Sequence, residues 1–288
     1  MRAGAYELSD AEPDPAFPNS LYVPFFWPDE PDDGSGSGGY NNNGGGYYTN
    51  NYLSDKNNYR TSGNEDPAKA QKNLAKYNSI VWQSGQKDTS PPYESGPNAG
   101  CPQPISPLRN ATAKAAIKTS IDAMIAYPAM GTFIPTGLVW GWHVVSPGVP
   151  YTEGLEPGDD YYETTVKAIV LFTDGDNSVT GISNHNKSYF SAFNYVARNR
   201  MGTTTSADTA TDNLDVKTST LCENVKGAGI RLYTISVGTM TASSQTVMRN
   251  CATLDKGARL YWHAPSTSDL EDIFEAIGED LSEIHLSM

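Results

Sequence analysis

The chain has 288 residues, 38% hydrophobic and 10% aromatic, enough for a real core in one large domain or two small ones and too apolar for wholesale disorder. With 33 acidic against 20 basic side chains, its formal charge of −13 repels phosphate backbones and anionic lipid surfaces and excludes nucleic acid as a partner. The opening Met1-Arg-Ala-Gly-Ala-Tyr-Glu7 lacks an apolar h-region and no run of about 18 to 20 apolar residues could span a bilayer, so neither a targeting signal nor a membrane segment is expected here.

In chain order, residues 1–33 carry eight acids and one Arg, with many prolines and an apolar island, Leu21-Tyr-Val-Pro-Phe-Phe-Trp27, able to dock on a surface. Residues 34–52 hold seven Gly, five Asn and four Tyr, a composition that buries too little apolar area to offset its ordering entropy. Disorder is expected over 34–60. Polar, Pro-bearing sequence continues to about 107, broken by a short helix around Asp66 to Val81. From Asn110, a good N-cap, Ile117, Ile121, Met124 and Ile125 fall on one helical face, and a second helix over Thr136 to Val145 presents Leu138, Val139, Trp142 and Val145.

Ala168-Ile-Val-Leu-Phe172 is a continuous apolar run, read as a strand covered on both faces, and Ile230 to Val237 is a second. A helix from about Ser219 precedes the second strand and ends at Gly227 or Gly229. Another helix, Ser243 to Leu254, leads to a short strand over Arg259 to Ala264. Ser268-Asp-Leu-Glu271 then reads as a capping box, opening a helix with Leu270, Ile273, Phe274, Ile277, Leu281 and Ile284 at helical spacing. Alternating helices and apolar strands predict an α/β fold with a doubly wound, mainly parallel sheet. Only three strands follow residue 110, whereas open sheets of this kind usually have about five or six, so the sheet is expected to be incomplete on its N-terminal side.

Candidate chemistry is sparse. The run Asp33-Gly-Ser-Gly-Ser-Gly-Gly39 satisfies G-x-G-x-x-G and D-x-S-x-S literally, but neither follows a strand, so both are coincidences of low complexity. His143, His185, His263 and His285 show no ligand spacing, no nucleophile elbow is present, and Asp159, Asp160, Glu94 and the other acids read as solvated faces. Thr173-Asp174-Gly175-Asp176-Asn177 stands apart because it follows a buried strand, at the edge where open α/β sheets bind ligands. Asp174 there could give a carboxylate to a hard cation, or simply close a solvent-exposed turn.

Met130-Gly-Thr132-Phe-Ile-Pro-Thr-Gly-Leu-Val-Trp-Gly-Trp-His-Val-Val-Ser-Pro147 resembles the loop and helix of TadG-like von Willebrand factor A-type (vWA) domains, in which a Thr after Gly coordinates a metal. Thr132 matches that Thr. Lys167 to Asn177 is similar to the family's later metal-site strand, with Asp174 as its carboxylate. The likeness continues through Leu221 to Val237, Asn250-Cys-Ala252, Tyr261-Trp-His-Ala264 and Leu270 to Leu286, and the acidic, Pro-rich first third resembles the long insertion before Gly96-Pro-Asn-Ala-Gly-Cys101. The family's first strand with its D-x-S-x-S, two further strands and a membrane anchor have no counterpart in residues 1–33.

The resemblance implies an insertion region, 1–107, and the C-terminal part of a vWA-like domain, 108–288. It implies a non-enzymatic protein-binding module of the tight-adherence (Flp/Tad) pilus system, in the envelope or at the cell surface, with pilus or envelope components as partners. A divalent cation, Mg2+ or Ca2+, would be held by Thr132 and Asp174, weakly, because two oxygens leave most of a six-ligand shell to water. The other readings are a vWA adhesin unrelated to pili and a secreted hydrolase, for which no nucleophile-base pair can be named. Three cysteines suit neither a zinc knuckle nor a C-x-x-C pair. Cys222, on the helix before the second strand, and Cys251, ending the helix after it, are expected to pair on one sheet face, leaving Cys101 as the orphan.

Overall fold

The computed structural model describes residues 2–32, 48–54, 67–78, 80–82, 95–125 and 131–287. Its centre is a parallel sheet of three strands, β1 (Ala168–Thr173), β2 (Arg231–Val237) and β5 (Tyr261–Ala264), in the order β1-β2-β5. A two-residue hairpin, β3 (Leu254–Asp255) and β4 (Ala258–Arg259), precedes β5. The crossovers are α4 (Ala207–Gly227) and α5 (Ala242–Cys251); α3 (Ile134–Val145) precedes β1 and α6 (Leu270–Ser287) follows β5. The protein is thus mixed α/β, and strand order runs in one direction with no reversal among the described strands.

Side-chain alternation assigns the two faces. Ile169 and Leu232 join Leu138, Val139 and Trp142 of α3, Leu221, Cys222 and Val225 of α4 and Cys251 of α5 in one core. Tyr233, Ile235, Val237 and Ala264 turn the other way, onto Ile273 and Ile277 of α6. Helices therefore cover both faces, three against one.

Local signals explain the helix ends. Pro135 sits in the first turn of α3, where its missing N–H is harmless. Ser206 and Thr241 cap α4 and α5 by accepting the Thr209 and Ser244 N–H groups. α4 begins twelve residues before the expected Ser219, because Ala210 and Leu214 in its polar first half bury against Phe193, Val196 and Met201, a core built by the coil after β1. The expected capping box at Ser268 lies two residues earlier: Ser266 and Asp269 cap a short 3-10 turn ahead of α6.

β1 is covered on both faces, as expected: Ile169 and Leu171 pack into one core and Ala168 and Val170 against the other, while Phe172 near its end is 55% exposed. One expectation fails for want of a covering partner. α2 (Lys114–Asp122) has no buried residue, and Met124 and Ile125 lie beyond its end. Asn110 caps the 3-10 turn before it by accepting the Thr112 N–H.

Much of the disorder expected over 34–60, with the run 33–39, lies outside the described residues. The described part, 48–54, is packed: Tyr48, Asn50, Tyr52 and Leu53 are buried. Asn50 exchanges two hydrogen bonds with Gly96, at 2.9 and 2.8 Å, and Leu53 forms an isolated antiparallel bridge with Trp82. The Gly/Asn composition hid the apolar area its tyrosines supply. The helix expected over 66–81 is divided into α1 (Pro67–Lys72) and a 3-10 turn, Leu74–Tyr77.

Residues 2–30 strap this body from outside. Trp27 is buried with Ala99 and Tyr195 and stacks on Phe190, so the Leu21–Trp27 island does dock, while Val23 and Phe26 stay exposed. Glu7 receives ion pairs from Arg200 at 2.6 Å and Lys217 at 2.8 Å.

Candidate partner face at the sheet edge

β1 ends at Thr173, whose Oγ1 accepts the Gly175 N–H and donates to the Gly175 carbonyl, closing a tight turn that leaves Asp174 exposed. The loop before α3 meets this turn. Thr132 and Ser178 exchange both backbone hydrogen bonds of an antiparallel bridge, at 3.1 and 2.9 Å. Thr132 Oγ1 thereby lies 3.3 Å from where a Cβ on Gly175 would sit, against the residue that follows Asp174. Gly131 makes the approach possible: it has φ +90, and a Cβ there would lie 2.2 Å from the Ser178 carbonyl oxygen. Of the two residues singled out from the sequence, Thr132 thus lies against the turn that contains Asp174, at the C-terminal edge of the sheet.

Asn177 holds the turn in place. Buried, it accepts the Ile134 N–H at 2.9 Å and donates to Asp215 at 2.8 Å and to Thr218 at 3.0 Å, tying the turn to the start of α3 and the middle of α4. Asp176 accepts the Thr241 N–H at 3.1 Å, linking the turn to α5. Burial pushes the Asp215 carboxyl above its ordinary range; the Asn177 hydrogen bond opposes this, and nearby Asp176 and Asp212 add to it. The mouth of the edge is acidic.

These residues do not fit a full hard-cation shell. Thr132 offers one hydroxyl and Asp174 one carboxylate, Asp176 is engaged by Thr241, and among the described residues no group of three or more His, Cys, Asp or Glu is placed to hold a metal.

Sequence reasoning missed a hydroxyl-imidazole pair two strands away. Ser236 and His263 face each other across β2 and β5, with Ser236 Oγ 2.9 Å from His263 Nδ1 and 2.8 Å from the Tyr261 hydroxyl. Only sheet register could have revealed it. Ser236 is wholly buried, so its Oγ is out of a substrate's reach and the trio serves as a cross-strand clasp.

The acids are not all solvated, contrary to expectation. Glu30 is buried, accepting from Thr49 and Asn50 N–H through one oxygen and from Tyr195 and Trp27 through the other. Burial raises its pKa although all four donors pull it down. Asp29 and Lys76 form a fully buried ion pair. Both acids join segments far apart in sequence. Cys222 and Cys251 are bonded, S–S 1.99 Å, across α4 and α5, and Cys101 is free and partly buried.

Fold and edge together define a mixed α/β protein whose three-stranded parallel sheet brings the Thr132 hydroxyl against the Asp174-Gly175 turn at its C-terminal edge. Compared with known proteins, the chain matches no family model, no curated protein and no solved structure. No helix of the described residues is long and apolar enough to cross a membrane.

Proposed function

We propose that the chain is a protein-binding module and not an enzyme, a vWA-like domain of a TadG-like Flp/Tad pilus assembly protein, working in the envelope or at the cell surface. The observation that carries the reading is the meeting of Thr132 with the Asp174-Gly175 turn at the C-terminal edge of a parallel sheet, the place where α/β folds hold ligands. A partner approaching this edge would meet an exposed carboxylate beside a hydroxyl on a rigid turn. A cation there would be shared between these two oxygens, the partner and water.

Titration calorimetry on the chain should give Mg2+ or Ca2+ affinities of about 1 mM or weaker. Micromolar binding would show that other residues supply the ligands. Purified Flp-type pilin, immobilised and exposed to the chain, should capture it, and Asp174→Ala and Thr132→Ala should each reduce capture at least tenfold. Capture unaffected by either substitution, or absent for the unsubstituted chain, removes the pilus reading.

A further inference from the structure

Asp29 and Lys76 meet in a dry pocket far from the sheet edge. Both side chains are wholly buried, among the buried Trp27, Tyr52 and Leu53 and beside the Tyr77 ring. Burial pushes the Tyr52 and Tyr77 hydroxyls above their ordinary range, so both stay neutral there. Lys76 reaches Asp29 from the 3-10 turn Leu74–Tyr77, 47 residues further along.

The geometry at Asp29 is that of an acyl group between an amine and a donor. Lys76 Nζ stands 2.5 Å from Asp29 Oδ2 and 3.2 Å from the Asp29 carbonyl oxygen, so the amine is held at two points against one residue. The other carboxyl oxygen, Oδ1, accepts the Leu53 N–H at 2.6 Å, and the Asp29 N–H donates to the Tyr77 hydroxyl at 2.7 Å. The carboxyl carbon is thereby fixed, with a nucleophile on one side and a backbone N–H on the oxygen where charge would develop under attack.

We propose that Asp29 and Lys76 condense to an intramolecular amide, an isopeptide bond between Asp29 Cγ and Lys76 Nζ. A proton first passes along Nζ–H···Oδ2, turning the ion pair into an amine and a carboxylic acid, an exchange favoured where two charges have been withdrawn from water. The amine lone pair attacks Cγ, the developing negative charge settles on Oδ1 against the Leu53 N–H, and a second proton moves from Nζ to Oδ2. The Cγ–Oδ2 bond then breaks and Oδ2 leaves as water. Of the three ammonium hydrogens one stays on the amide and two depart with the oxygen; nothing is oxidised or reduced, and no co-reactant is consumed. Fixed placement supplies an effective concentration on the order of 10⁵–10⁸ M, and burial keeps water from reversing the step. The bond closes a covalent loop from residue 29 to residue 76 and fastens the end of the strap to the turn after α1. The inference is independent of the function proposed above.

The electrospray mass of the purified full chain, reduced and unfolded, should fall one water below the mass of its sequence. Trypsin should leave Lys76 uncut and release a branched peptide joining residues 3–56 to residues 73–87. Lys76→Met and Asp29→Ala should each restore the full sequence mass, and the branched peptide of the unsubstituted chain keeps the test decisive if either variant folds poorly. An unsubstituted chain that still has its full sequence mass after long incubation in the folded state overturns the proposal. So does a loss of water that trypsin maps to another position, or one that survives Lys76→Met.

Discussion

His143 shows how one side chain can make stability depend on pH. Its ring is buried on α3, with Nε2 3.0 Å from an Arg2 guanidinium nitrogen and Nδ1 3.3 Å from the Tyr22 hydroxyl, which itself donates to the Val149 carbonyl. Those partners select the neutral tautomer with the proton on Nδ1, because arginine can only donate to Nε2. Burial, reinforced by the Arg2 charge, lowers the pKa to about 4 from 6.5. The unfolded imidazole takes a proton near pH 6.5 and the folded one only near 4. Stability from keeping the ring neutral is therefore complete above pH 6.5, falls with pH across that window, and levels off below about 4. The expected loss is about 2–3 kcal/mol. Urea denaturation from pH 4 to 7 should show it, and the profile of His143→Gln, which does not titrate, should lack that component. At this scale the turn after β1 was legible because Thr173-Asp174-Gly175 is a short local pattern that follows an apolar run. Asn177, in the same motif, was not, because its partners Asp215 and Thr218 lie some forty residues on and only folding brings them together. Glu30 was misread for the same reason: its donors come from residues 27, 49, 50 and 195.

Among the elements, the three strands of the sheet and the helices around them could be read from apolar periodicity, since each buries a face whose spacing local geometry dictates. What periodicity could not tell was which face finds a partner. α2 has an apolar stripe like that of α6, yet it buries nothing, and β1 reads as apolar as β2, yet lies at the edge of the described strands. The pairing of Cys222 with Cys251 was accessible because both helices had to return to one sheet face. That disulfide closes a separation of 29 residues. Loop-closure entropy at that length stabilises by about 3–4 kcal/mol. Cys222→Ala with Cys251→Ala, or reduction of the unsubstituted chain, should lower the unfolding free energy by that amount in guanidinium titrations, with the α4-α5 contact the first to open in hydrogen exchange.

At the scale of the whole molecule, the strap 2–30 is held at a few separated points: Arg2 at His143, Glu7 at Arg200 and Lys217, and Trp27 in its pocket with Ala99 and Tyr195. Trp27 supplies the largest apolar anchor. Trp27→Ala should cost about 3–5 kcal/mol, and limited chymotrypsin digestion should then cut at Leu21 to Phe26 while the disulfide-linked body persists. A strap that resists cleavage in this variant would place its anchorage elsewhere. The same contacts set an order of events in time. Glu7 waits for Lys217, 210 residues further along, whereas β1, α4 and β2 find each other within a stretch of about seventy. At a synthesis rate of roughly 5–20 residues per second, the strap spends about 10–40 s outside the ribosome before its last anchor exists. For most of that interval the Leu21–Trp27 island lacks the Phe190 and Tyr195 rings that cover Trp27, so an apolar segment stays open to solvent until translation has passed residue 195.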